Sequence, residues 1–252
     1  MRKTRVIPLL LLHKEGLYKT TQFKKPQYIG DPINAIKLFN DLEVDEIAII
    51  DIDATKKNLG PNTNLIQDFA SEAFMPMMIG GGLKSIEDVE KILNLGVEKV
   101  LFNNLFIDNP SKIEIISKAF GSQSIVVSLN LKKDFLRKYR VYDYKRRKFC
   151  DFDIHQAINM CIDLGVGEII VTYVDKDGMQ DGLEFSHLSD KLKELKTPII
   201  INGGAKDIYD IKNAASAGFS GIAVGSMFVY HGSTKGVLIN YPSQDVLNQE
   251  LI

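Results

Sequence analysis

Hydrophobic positions in this chain fall into short unbroken runs, not alternating ones. They recur at residues 5–12, 46–52, 76–79, 99–102, 124–131, 168–174, 198–201 and 221–224. Runs without alternation suit strands buried on both faces, as in a parallel sheet covered by helices. The intervening segments have helical lengths. The clearest spans 85–96, where Ile86, Val89, Ile92, Leu93 and Leu95 share one face, Ser85 can cap the start and Gly96 the end.

Eight strand-then-helix units fit either an open doubly wound sheet or a closed barrel, and an internal repeat separates the two. Residues 75–106 align without a gap onto 197–228, and the pairs Pro76/Pro198, Ile79/Ile201, Gly81/Gly203, Gly82/Gly204, Lys84/Lys206, Gly96/Gly218 and Phe106/Phe228 are identical. The same offset carries Glu46 onto Glu168 and Asp53 onto Asp175. A period of nearly half the chain is what two four-unit halves of a closed (β/α)8 TIM barrel require, so the expected fold is an α/β barrel. One domain over 1–252 is expected, with half-barrels at about 1–122 and 123–252.

Two segments interrupt the rhythm. Residues 14–31 form a long polar stretch with Lys19, Lys24 and Lys25, which could act as a mobile lid without regular structure. Residues 132–148 hold nine Lys or Arg and, with the alternation at 139–144, predict a β-hairpin after strand five. That hairpin could be merely solvated or could meet an acidic partner or a phosphorylated ligand.

At 252 residues, 45% hydrophobic and 25% charged, the chain can bury a large core, and its formal charge of -1 provides no global field for nucleic acid or anionic membrane. Small molecules and proteins are the expected partners. Cys150 and Cys161 fit neither a disulfide framework nor a metal cluster, so a reducing, cytoplasmic setting is expected. The apolar stretch 6–12 is too short for a membrane span, lacks a following cleavage site, and is taken as strand one rather than a signal peptide.

Chemistry in such a barrel belongs at the carboxyl ends of the strands. Gly81, Gly82, Asn103 and Asn104 follow strands three and four; Gly203, Gly204, Gly225 and Ser226 follow strands seven and eight. Glycine admits an anion close to backbone N–H groups, and a helix start adds a favourable dipole. A doubled glycine site predicts a ligand with a phosphate at each end. Asp51, Asp53, Asp175 and Asp177 are candidate acids or bases, each of which could instead bind backbone amides, and His13 is expected to be an isolated surface imidazole. No metal-ligand spacing or cofactor motif stands out, so no metal and no cofactor are expected.

The segments LYKTTQF…GDP, VDEIAIIDIDA, IGGGLKSIEDVEKIL, GVEKVLFNN, NPSKIEIISKAFGSQSIVVSL, GEIIVTYVDKDGMQDG and PIIINGGA carry a resemblance to the cyclase subunit of imidazole glycerol phosphate synthase, over the chain to about Phe228. The resemblance implies a lyase-family barrel with a glutaminase subunit docked at its amino-terminal face, ammonia passing through the core, and Lys19, Asp177 and Gly178 joining the glycine pairs in holding substrate. It marks Arg5, Glu46, Lys99 and Glu168 as a charged gate at the tunnel entrance. It also places the family's two catalytic aspartates, at the ends of strands one and five, where this chain has Leu11 and Asn130. A leucine moves no proton and a neutral amide is no practical acid or base near pH 7. With the terminal segment HGSTKGVLINYP, the chain also resembles cyclase-like proteins linked to acetamidino-sugar formation in bacterial surface polysaccharides. This implies transfer of ammonia to an ATP-dependent sugar amidotransferase. Two alternatives stay open: a true cyclase of histidine biosynthesis and a non-catalytic scaffold.

Overall fold

A computed structural model describes residues 4–192, 194–232 and 234–251. Eight parallel strands form its barrel: Arg5–His13, Ile47–Asp51, Met77–Gly80, Lys99–Phe102, Ile125–Lys133, Glu168–Tyr173, Ile199–Asn202 and Gly221–Val224, numbered one to eight below. Each pairs with the next, strand eight pairs with strand one, and strand five pairs with strand six over Glu168↔Val126 to Tyr173↔Leu131, so the sheet closes.

Both strand faces are covered, which is why the runs are continuous. Ile7, Leu9, Leu11, Ala48, Met78, Leu101, Val126, Ile170, Ile200 and Ala223 fill the barrel interior. Alternate residues such as Val6, Leu10, Leu12, Ile47 and Ile49 join a second, larger core. Helix Ile86–Asn94 follows its sequence signals: Ser85 and Asp88 form a reciprocal capping box, Val89 and Ile92 are buried, and Gly96 has φ 94° just past the end.

The internal repeat reappears in the element boundaries. Met77–Gly80 maps onto Ile199–Asn202 and Lys99–Phe102 onto Gly221–Val224, and the helices starting at Ile86 and Asn104 match those starting at Ile208 and Ser226.

Residues 14–31 correct the expectation of a structureless lid. They form two antiparallel strands, Gly16–Thr21 and Lys24–Gly30, the first paired with strand one through Leu11↔Tyr18 and His13↔Gly16. This strand-one hairpin is tied across to the loop after strand six. Thr20 donates to Asp177 at 2.9 Å, the Gln22 amide donates to the Asp177 carbonyl at 2.8 Å, and the Gln22 side chain donates to the Asp175 carbonyl at 2.9 Å. Gly178 sits directly under Thr20, with φ 75° and its missing side chain replaced by the Thr20 carbonyl. The expected hairpin at 132–148 is present: Tyr139–Asp143 pairs antiparallel with the end of strand five, Lys133 opposite Tyr139.

Candidate functional site

At the barrel floor, Arg5 begins strand one, Glu46 immediately precedes strand two, and Lys99 and Glu168 begin strands four and six. Their signs alternate around a closed ring. The Lys99 ammonium lies 2.9 Å from Glu46 and 3.0 Å from Glu168; the Arg5 guanidinium lies 2.5 Å from Glu168 and also contacts Glu46. Glu46 is 1% exposed. A carboxylate so buried survives ionised only when paired, and each here has two cationic partners. Burial works against the Arg5 charge, but Glu46 and Glu168 outweigh it and raise the guanidinium further above its ordinary value. Beside the ring on the same amino-terminal side, Phe39, Val44, Met75 and Pro76 line a groove with Phe74 almost fully exposed at its edge.

At the mouth, the strand-seven and strand-eight glycines come together. Asp177, Gly178, Asn202, Gly203, Gly204, Gly225 and Ser226 line one pocket. Lys19 reaches into this region from the strand-one hairpin, 3% exposed, its ammonium 3.4 Å from the Leu9 carbonyl. Gly225 leaves the space Lys19 occupies: a Cβ there would collide with the lysine's end. Burial lowers the Lys19 pKa, with nearby Asp177 opposing the shift. A buried amine with one long carbonyl contact beside a glycine-lined pocket is suited to an anion. At the other half of the repeat, Asn103 donates to the Ser128 carbonyl at 2.7 Å, and the buried side-chain nitrogen of Asn104 has no hydrogen-bond partner among the described residues. An orphaned buried donor at a helix start is another feature a bound anion would satisfy.

Leu11 and Asn130 are both buried near the inner ends of the mouth, Leu11 packed in the apolar interior. The four aspartates are occupied with backbone and hairpin contacts. Asp51 accepts from the amides of Asp53 and Ala54; Asp175 accepts from the Lys133 amide; Asp177 accepts from Thr20 and the Phe23 amide. His13 corrects the expectation of an isolated imidazole: its Nδ1 lies 2.8 Å from Asp53, and its ring meets Tyr18 edge-on. Burial would raise the Asp53 carboxyl, but hydrogen bonds from Lys57, His13 and the Lys14 amide bring it down to about 2. Sequence reasoning did not find Thr20, Gln22, Asn202 or the His13–Asp53 pair as a unit. Their partners lie far away along the chain, and no local pattern announces them. Among the described residues no His, Cys, Asp and Glu group could hold a metal ion, and no helix is long and apolar enough to cross a membrane.

The fold is thus a closed α/β barrel with a paired charge ring at one end and a glycine-lined pocket at the other. The model of the histidine biosynthesis protein family matches residues 5–235, and the chain belongs to that family. It is 42% identical over 245 residues to a Leptospira borgpetersenii protein provisionally named imidazole glycerol phosphate synthase subunit HisF, covering 96% of each chain. A Pseudomonas aeruginosa protein provisionally named subunit hisF2 is 42% identical over 252 residues, 98% of this chain and 99% of its own. The imidazole glycerol phosphate synthase subunit HisF of Petrotoga mobilis is 32% identical over 231 residues, 91% and 92%.

Proposed function

We infer that this chain is a HisF-like barrel subunit that receives ammonia from a glutaminase docked at its floor and holds a bis-phosphorylated ligand at its mouth. The observation that carries this is the Arg5–Glu46–Lys99–Glu168 ring: four charges gathered under an apolar interior, beside an exposed Phe74 and its groove. Neutral ammonia can enter an apolar core, whereas an ammonium ion is held back by its desolvation cost. The glycine pairs, Lys19, Asn103, Asn104 and Ser226 supply the anion sites.

Two readings of the ammonia's fate differ. In the first, the barrel itself is the cyclase (a lyase) of histidine biosynthesis; the family match and the relatives' names favour this. In the second, the barrel is a conduit serving a separate ATP-dependent sugar amidotransferase in acetamidino-sugar formation. Leu11 and Asn130 favour this, because neither can remove or return a proton where the family resemblance expects aspartates.

The deciding experiment supplies the family's bis-phosphorylated substrate and ammonium salt to the purified barrel. Turnover near that of an ordinary cyclase establishes the first reading. Negligible turnover, together with stimulation of a bound glutaminase, establishes the second. Loss of that stimulation when Glu46 or Glu168 is neutralised tests the floor assignment common to both.

A further inference from the structure

The hairpin after strand five presents apolar surface that the barrel does not use. Phe135 is 90% exposed and Leu136 60%, in the turn that follows strand five on the mouth side of the barrel. On the loops after strands two and six, Leu59 and Met179 are exposed on the same side of the barrel.

The tip is built, not loose. Asp134 accepts from the amides of Leu136 at 2.9 Å and Lys138 at 3.0 Å, and the Arg137 amide closes the turn on the Asp134 carbonyl. Below it, Lys133 and the Tyr139 hydroxyl both donate to Glu184, at 3.2 and 2.9 Å, and Tyr139 stacks on His187. Fixing a turn that holds an aromatic and an aliphatic side chain in water gains the folded barrel nothing. It lowers the entropic cost of inserting them into a partner.

The carboxylates nearest the turn, Asp134 and Glu184, are engaged in hydrogen bonds, while the turn also carries free positive charge. Arg137 and Lys138, next to Leu136 in the turn, are exposed and have no carboxylate partner among the described residues.

We propose that the mouth-side hairpin is a docking element for the ammonia-consuming enzyme, with Phe135 and Leu136 entering an apolar pocket on an acidic surface of that partner. This rests on the conduit reading. A protein suits the surface better than a bilayer: neutral ammonia leaving the mouth must meet its acceptor before it escapes, and only a second active site held over the barrel does that. The cations steer the encounter and the apolar tip supplies the anchor.

Photo-crosslinking tests this in cells that make the full chain and its glutaminase, with benzoylphenylalanine at position 135 or, as a control, at Ile115 on the barrel flank. The expected result is an adduct from position 135 only, identified by mass spectrometry as an ATP-dependent amidotransferase. With that enzyme purified, the F135E/L136E double substitution lowers its affinity for the barrel at least tenfold and uncouples ammonia transfer. Stimulation of the glutaminase and thermal stability stay unchanged. Absence of an adduct, an adduct with phospholipid, the glutaminase, a second copy or any other protein, or unchanged affinity of the double variant overturns the proposal. Failure of the conduit reading is separately visible, as wild-type turnover of the bis-phosphorylated substrate with ammonium.

Discussion

The floor and the mouth of this barrel treat charge in opposite ways. At the floor, four ionised side chains from four strands satisfy one another and leave no charge over. At the mouth, the two central positions are a leucine and an amide, and the nearby aspartates are consumed in holding loops. In the proposed function, passage of ammonia and chemistry on it are therefore physically separable: one would depend on the ring at the strand starts, the other on proton-transfer groups at the strand ends. Nothing in the folding of the barrel couples the two.

The largest effect that would break this contrast lies in turnover. With ammonium in place of glutamine, the wild-type barrel is expected to fall below an ordinary cyclase by about 10²- to 10⁴-fold for each missing acid-base group. Steady-state assay of the Leu11→Asp and Asn130→Asp double variant should then show a gain, provided the substrate is already held within hydrogen-bond reach of both carboxylates. Wild-type turnover at the ordinary level would mean that the mouth is as well equipped as the floor.

The floor should fail by a different route. Glu46→Gln keeps shape but removes one of two anions, leaving Arg5 and Lys99 to share Glu168 in a setting where Glu46 is 1% exposed. Breaking a buried ion pair on one side costs about 3 kcal/mol or more. Urea denaturation should show the midpoint falling with little change in slope. A loss under about 0.5 kcal/mol would show the ring to be solvated, and the contrast with the mouth would weaken.

The same contrast governs what was legible beforehand. Strand positions were readable because burial on both faces leaves continuous apolar runs; the ring was marked by the family resemblance, and the half-barrel offset that carries Glu46 onto Glu168 agrees with it. The strand-one hairpin was not. Its two-residue turns are Lys14–Glu15 and Gln22–Phe23, all four at positive φ without the glycine or asparagine that usually marks such turns. The ties of Thr20 to Asp177 and of His13 to Asp53 join distant segments, and only the closed barrel brings them together.

Acid should loosen the mouth before the barrel unfolds. The Asp53 carboxyl stands at about 2, below its unfolded value near 3.9. A depressed carboxylate stabilises the fold fully above the unfolded value, and this contribution is lost as pH falls from about 4 through about 2. The difference is on the order of 2 kcal/mol. Denaturation of wild type and Asp53→Asn at stepped pH should converge across that window; parallel curves would remove Asp53 from the anchoring of strand one.

The smallest expected effect concerns the contact between the two mouth hairpins. Tyr144 donates to the Phe23 carbonyl at 2.7 Å, and its ring meets Phe23 edge-on with centroids 5.4 Å apart. Tyr144→Phe retains the ring contact and removes only the hydroxyl, so the loss is one neutral hydrogen bond, about 1 kcal/mol. The Phe23 carbonyl, at a hairpin turn near solvent, can take a water in exchange, which holds the cost near that figure. The barrel pairings do not pass through this contact, and global stability should change by no more than this amount. Local opening should respond more clearly: amide exchange across Gly16–Thr21 and Lys24–Gly30 should quicken about fivefold, while strands two to four exchange as before. Uniform quickening through the barrel would show that the hairpins and the strands open as one unit, and the separation of mouth from floor would then fail at its mildest test.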